Sequence, residues 1–423
     1  MEGKFAVYGI TSRSYDSNMK KILFYSTLSV IFCCFCSLAG AQIESGDLPN
    51  REGINLGPAK VHAAFKTSVR FDSNIFLTSE DEEFDVITML NPSVGIELPL
   101  REHNLSVEYD TAINLFGKNT DQNYVNHRVR GLAEFDFTHF RISVSDMYRY
   151  FSDRAGSEDT NRIKRQNNRL RFGIDHEFDQ LGYDLGYTFE LEDYISKKVI
   201  VGDLTYEDKD RLLNIFDAQL SYRFMPKTKA LLETYLGFVS YDSSMSSDSW
   251  YIETLVGLEG ELTSKIDVNF KGGIRHQDYD KADFSASNDF TNFVARGGVR
   301  YNMTKDDIID LNFERSINES TFDRMNYYTM DYVGAEYTHM FTKKISGRVF
   351  GGYQWNRYPS EATVSGVTKK RQDHFFSTGT LLRYDIRKWL SIEAKYEYKH
   401  RDSNFSAYDF DQHLTTLNGT VGF

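Results

Sequence analysis

The chain has 423 residues, 15% of them aromatic, a net charge of −12 and a mean hydropathy of −0.48. The negative hydropathy excludes a bundle of membrane helices, and the acidic balance argues against nucleic acid, whose phosphates need a basic surface. Tyr (27) and Phe (32) are abundant and Pro (6) is scarce, which favours strands over helices.

In chain order, the first feature is MKKILFYSTLSVIFCCFCSLAGAQ, starting at Met19. Lys20 and Lys21 form a basic head, Ile22 to Leu38 an apolar stretch, and Ala39-Gly40-Ala41 a small-residue cleavage site. This is the pattern of a secretory signal peptide cut after Ala41. A membrane anchor is the rival reading, but the cleavage site follows at once. Met19 is the expected start, which makes residues 1–18 an extension. All three cysteines, Cys33, Cys34 and Cys36, fall in the leader, so the mature chain is expected to hold no disulfide. The expected organisation is 1–41 extension plus leader, 42–59 a short periplasmic segment and 60–423 a single barrel.

Next comes Phe71-Asp72-Ser73-Asn74-Ile75-Phe76, an acidic run from Glu80 to Glu83, then Asp85-Val86-Ile87-Thr88 and Asn91-Pro92-Ser93. This opening resembles that of the putative β-barrel porin 2 family, through Asp72, Ser73, Asn74, Asp85 and Pro92. The close resemblance covers roughly residues 60–110. It implies a Gram-negative outer-membrane barrel that accompanies exopolysaccharide synthesis and export, and it carries no catalytic signature. The Glu80–Glu83 run offers oxygens to Ca²⁺, although a solvated loop explains it as well.

From Pro58 onward, apolar and polar residues alternate. Val268, Phe270, Gly272 and Ile274 alternate with Asp267, Asn269, Lys271 and Arg275; Ile392, Ala394, Tyr396 and Tyr398 alternate with Glu393, Lys395 and Glu397. A period of two means strands with one apolar and one polar face. Short connections (137–139, 179–180, 225–227, 263–265, 303–305, 341–343 and 386–388) alternate with long polar ones (72–85, 116–123, 152–161, 194–210, 243–248, 280–288, 320–326, 358–371 and 402–408). This predicts an all-β transmembrane antiparallel up-and-down barrel of about 18 strands (16–18). Both termini would lie in the periplasm. A soluble sandwich or propeller is the rival, but it has shorter strands and no such alternation.

Barrels of this size leave an aqueous channel. Its expected lining includes Arg128, Arg130, Arg165, Arg169, Arg171, Arg296, Arg300 and Arg348. The carboxylates placed with them are Glu108, Asp110, Glu134, Glu190, Glu192, Glu259 and Glu314. These either pair across the wall and stiffen it or set a selective field; pairing is the simpler reading. Phe350 and Tyr358 could serve as sugar-stacking positions. His127, His176 and His339 fall on outward or interface registers without ligand spacing. No catalytic, cofactor or metal site is expected.

The chain ends HLTTLNGTVGF, where Leu417, Val421 and Phe423 alternate with polar residues. This reads as the closing strand and as an insertion signal for the barrel-insertion machinery. The expected partners are that machinery and outer-membrane lipids, with polysaccharide and periplasmic export components if the barrel exports polymer. The leading functional expectation is therefore a channel for surface polysaccharide. A general or selective uptake porin and a plugged structural or adhesive barrel are the alternatives.

Overall fold

The computed structural model describes residues 53–154, 158, 162–280 and 289–423. The expected leader, its cleavage at Ala41 and the Met19 start lie outside the described residues. Eighteen long antiparallel strands form one meander: β1 (Ala59–Asp72), β2 (Asp85–Leu100), β3 (His103–Phe116), β4 (Tyr124–Asp136), β5 (Arg141–Arg154), β6 (Arg162–Phe178), β7 (Leu181–Tyr194), β8 (Arg211–Met225) and β9 (Thr228–Tyr241). It continues through β10 (Ser249–Thr263), β11 (Ile266–Tyr279), β12 (Phe290–Asn302), β13 (Asp307–Glu319), β14 (Tyr327–Met340), β15 (Ile345–Val364), β16 (Val367–Arg387), β17 (Leu390–Ser403) and β18 (Phe410–Gly422). Each strand pairs with the next, and β18 returns to β1 from Ala64↔Gly422 to Asp72↔Leu414. The sheet therefore has no open edge, the condition for placing backbone in hydrocarbon.

The last residue takes part in the seam. Phe423 donates its amide to the Ala63 carbonyl at 2.8 Å and accepts the Ala63 amide at 3.3 Å. Its ring stacks near Trp389, 6.3 Å between centroids at 12°.

Alternation sorts the side chains as the pleat requires. Leu220 (58% exposed), Val256 (62%), Ile274, Phe293, Val349 and Leu417 stand on the outer wall. Exposed large apolar residues on nearly every strand are explicable only if lipid covers them. Gly297 shows how tightly this wall packs: it pairs with Phe270 on one side and Phe313 on the other, whose rings lie 5.4 Å apart. A Cβ there would meet the Asn269 carbonyl at 2.5 Å and the Phe313 ring at 2.9 Å. Asp146 breaks the apolar pattern on this wall, and Asn168 donates to it at 2.7 Å.

One connection differs from expectation. Residues 358–371, read as a loop, are largely strand: β15 and β16 run on as a paired hairpin to a tight turn at Ser365-Gly366. Both turn residues have positive φ, as a two-residue hairpin turn demands. The register shifts between Arg357 and Glu361, around Pro359, which has no amide to give the ladder. An additional short turn, Arg101-Glu102, joins β2 to β3.

The residues of the family-like opening fasten the first long loop. Asp72 accepts the Asn74 amide at 3.0 Å and the Gln412 amide nitrogen at 2.8 Å. Asn74, fully buried, donates to the Thr78 and Asp411 carbonyls. Ser73 Oγ accepts the His413 amide at 2.8 Å. Asp85 gathers the Val86, Gly117, Lys118 and Asn119 amides at 2.7–3.0 Å. Pro92 stands opposite Phe65, while the β2–β3 pairing skips from Leu90 to Ser93, so its missing amide falls at a gap in the ladder.

Candidate functional site: the barrel interior

The inward faces of β3 to β7 carry Glu108, Asp110, Arg128, Arg130, Glu134, Arg165, Arg169, Arg171, Glu190 and Glu192. Arg128 holds Asp110 at 2.7 Å, and Arg130 lies 3.7 Å from Glu108. Arg141 bridges Glu134 and Asp175. Arg169 pairs with Glu190 at 3.4 Å and Arg165 with Asp153 at 2.9 Å. Glu192 also holds Arg211, while Arg171 bridges Asp184 and Asp217. Across the barrel, Arg296 reaches Glu233 and Glu253, Arg300 holds Asp310 at 2.7 Å, and Arg348 holds Glu336 at 3.1 Å. Glu259 and Glu314 share this inward face without an ion-pair partner among the described residues. Most of the interior charge is thus paired across adjacent strands, which stiffens the wall modestly and leaves little net field.

Two interior cavities differ in their balance of charge. One of about 580 Å³, against β11 to β14, is lined by Lys271, Arg296 and Arg300 and by Asp267, Asp310 and Glu314. Its charges cancel. The other, of about 700 Å³, lies against β1 to β4 and β15 to β18. It is lined by Lys66, Arg70, Arg348, Arg383 and Lys395 against Glu393 and Glu397 only. Arg348 and Arg383 are held by Glu336 and Asp385 just outside that lining and Lys395 by Glu397, so five cations meet four carboxylates, a formal excess of one positive charge. Lys66 and Arg70 stand at alternate inward positions of β1, and neither has an ion-pair partner among the described residues. Sequence reading missed both, because the cue is not their type but the absence of an acid opposite them, where Asn91 and Ile87 of β2 and Thr420 and Thr416 of β18 stand.

Phe350 faces inward under Lys395, 5.0 Å from the ammonium. Tyr358 does not line open space: it is 3% exposed, packed with Phe322, Met325 and Tyr328, so a sugar-stacking role for it is excluded by burial. His127 accepts or donates to the Tyr109 hydroxyl at 2.8 Å, His176 packs on Phe178, and His339 meets Asp307 at 2.7 Å. Glu83 in the acidic run accepts from Asn119. No group of ligating side chains suited to a metal occurs among the described residues.

At the long-loop end, side chains meet across the mouth. Glu158, between β5 and β6, accepts from Ser320 Oγ at 2.6 Å and from the Thr321 amide at 2.8 Å, between β13 and β14. Arg371 of β16 donates to the Glu158 carbonyl at 3.1 Å. That guanidinium is fully buried among Phe322, Tyr358 and Tyr408 and paired with Asp373 at 2.8 Å. Arg154 reaches the Ile75 carbonyl of the first loop at 2.9 Å. Lys209, in the loop after β7, is buried beside Glu158 and Glu319; burial pulls its ammonium down to about 8 despite those acids. Loops from opposite walls thus narrow the mouth above the cationic cavity.

The family described as putative beta-barrel porin 2 matches residues 49–423. No curated protein matches the chain. Among solved structures, OpdK of Pseudomonas aeruginosa with vanillate is 11% identical, covering 86% of this chain and 99% of its own, with a TM-score of 0.50. OccAB4 of Acinetobacter baumannii is 12% identical, covering 87% and 99%, with a TM-score of 0.49. At such identities the likeness is one of barrel fold.

Proposed function

The chain belongs to the putative β-barrel porin 2 family, an outer-membrane porin by fold and kinship, and on that premise we propose that it is a diffusion channel selective for small anionic solutes. Family and fold are those of channel proteins rather than enzymes. The observation that carries the reading is the cationic cavity, where Lys66 and Arg70 have no ion-pair partner among the described residues while Arg348, Arg383 and Lys395 are held by Glu336, Asp385 and Glu397, beside a charge-balanced cavity elsewhere in the same lumen. A wall with an excess of one sign concentrates ions of the other and repels its own.

Uptake of small solutes is favoured over export of a polysaccharide. The Glu158–Ser320–Thr321 contacts span the mouth and would have to part for a polymer, whereas a carboxylate or a phosphorylated small molecule needs far less room. We also assign the end bearing both termini to the periplasm and the long-loop end to the cell exterior, because a leader-bearing chain enters from the periplasmic side.

The test is the reversal potential of the purified porin in a planar bilayer under a tenfold KCl gradient. The sign expected is that of chloride preference. A cation-selective or unselective pore would remove the basis of the proposal.

A further inference from the structure

The outer wall carries charge where a lipid-covered barrel has no need of it. Arg315 on β13, Asp331 on β14 and Arg357 on β15 all project outward, on the face that carries Leu311, Val333 and Tyr353. Arg315 and Asp331 each stand four residues inside the long-loop ends of their strands. Arg315 donates to Asp331 at 2.9 Å and to the Phe293 carbonyl at 3.1 Å. Arg357 holds the other Asp331 oxygen and lies 4.2 Å from the Trp355 ring. Trp355 stacks in turn on His374, with 5.5 Å between centroids. Trp and Tyr at this level mark the boundary between acyl chains and head groups.

Directly beside the charges lies an outward groove of about 470 Å³. Its walls are Phe270, Phe293, Phe313, Val333, Tyr353 and Trp355, and its floor includes Ala295. The small residue between the bulky ones makes the groove, as Ala295 pairs with Gly272 on one side and with Arg315 on the other. An apolar trough thus runs up to a pair of guanidinium groups.

We propose that this is a binding site for a phosphorylated, acylated lipid of the outer leaflet, its phosphate on Arg315 and Arg357 and an acyl chain in the groove. Two cations share one carboxylate, so the cluster keeps one positive charge. Each guanidinium has five N–H donors in a fork that matches phosphate oxygens. Asp331 takes one from each, and the Phe293 carbonyl takes a third. Asp331 positions the pair: it holds two like-charged groups side by side, where alone they would splay. Isolated charge on the outer wall is unfavourable even near the interface, and an anionic head group relieves it. Placement in the outer leaflet rests on the long-loop end facing the exterior; the site itself is independent of what the lumen carries.

The experiment uses the full mature porin in detergent, wild type and the double variant Arg315→Gln/Arg357→Gln, each titrated with bis-phosphorylated lipid A and with the same lipid stripped of phosphate. Native mass spectrometry reads bound lipid and oligomeric state, and heat-modifiable gel migration verifies that each barrel is folded. Expected is one tightly retained phosphorylated lipid on wild type, roughly tenfold weaker for each guanidinium lost, the size of one charge-assisted hydrogen bond. The stripped lipid should bind no better to wild type than to the variant. Lys66→Gln, inside the lumen, should leave retention unchanged. Equal retention by folded wild type and variant overturns the proposal, as does equal binding of both lipids. An oligomer that excludes lipid and dissociates in the variant also overturns it, by making this wall an interface between copies.

Discussion

Replacing Lys66 and Arg70 together by Gln removes the two unpaired cations among the five on the wall proposed to favour anions and leaves Glu393, Glu397, Glu336 and Asp385, so a formal excess of one positive charge becomes one negative. An ion passing about 6 Å from one such charge in a water-filled lumen feels about 0.7 kcal/mol at the dielectric constant of water. This is roughly a threefold effect on local concentration for each charge, and about tenfold for the pair before screening. At an ionic strength of about 0.1 M the Debye length is about 10 Å, so much of that survives at contact range. Both side chains are only half-buried and neither is in an ion pair, so folding should be little affected. Reversal potentials across a planar bilayer would measure the chloride-to-potassium permeability ratio. It should fall severalfold at low salt and converge on wild type at high salt. A variant with normal conductance and an unchanged ratio would show that these side chains do not set the field.

Deleting Phe423 removes both hydrogen bonds to Ala63 and the stack on Trp389, and should cut membrane-inserted barrel severalfold while the inserted fraction keeps wild-type conductance; normal insertion would refute a role at the seam. Glu158→Ala removes the acceptor for Ser320 and Thr321, weakening the contact across the mouth by about 1–3 kcal/mol, and should give a larger, noisier single-channel current. Lys209 has an ordinary value of 10.5 when exposed and about 8 when packed, because burial disfavours its charge. The opened loop therefore binds more protons between these values, so packing there should tighten as pH rises from about 8 toward 10.5. Protection of residues 204–210 in hydrogen exchange would follow that curve, and Lys209→Met should flatten it.

The strands were legible because a barrel imposes one rule on every residue: the period-two alternation of Val268, Phe270 and Ile274 with Asp267, Asn269 and Lys271 is the two faces of the wall. The closing strand was legible for the same reason, since HLTTLNGTVGF alternates to its last residue. Three features were not legible, each for a physical cause. The hairpin through Pro359 and Lys369-Lys370-Arg371 looks like a loop because its outer half is polar, yet strands can pair above a membrane as well as within it. The contact of Glu158 with Thr321 joins residues 163 apart, and no local pattern records such a distance. The charge excess at Lys66 and Arg70 depends on which residues face them across β2 and β18, which only the register supplies. Outward Arg315, Asp331 and Arg357 are the reverse case. They violate the alternation, and that violation is itself the signal.

The most direct test of the channel's proposed role is solute entry into liposomes holding the purified porin, followed by swelling rate. A small aromatic carboxylate would be compared with an aromatic amine of equal size. A cationic lumen wall predicts markedly faster swelling with the carboxylate, reduced by Lys66→Gln/Arg70→Gln. Equal rates for the two solutes, or no swelling with either, would contradict a channel for small anions.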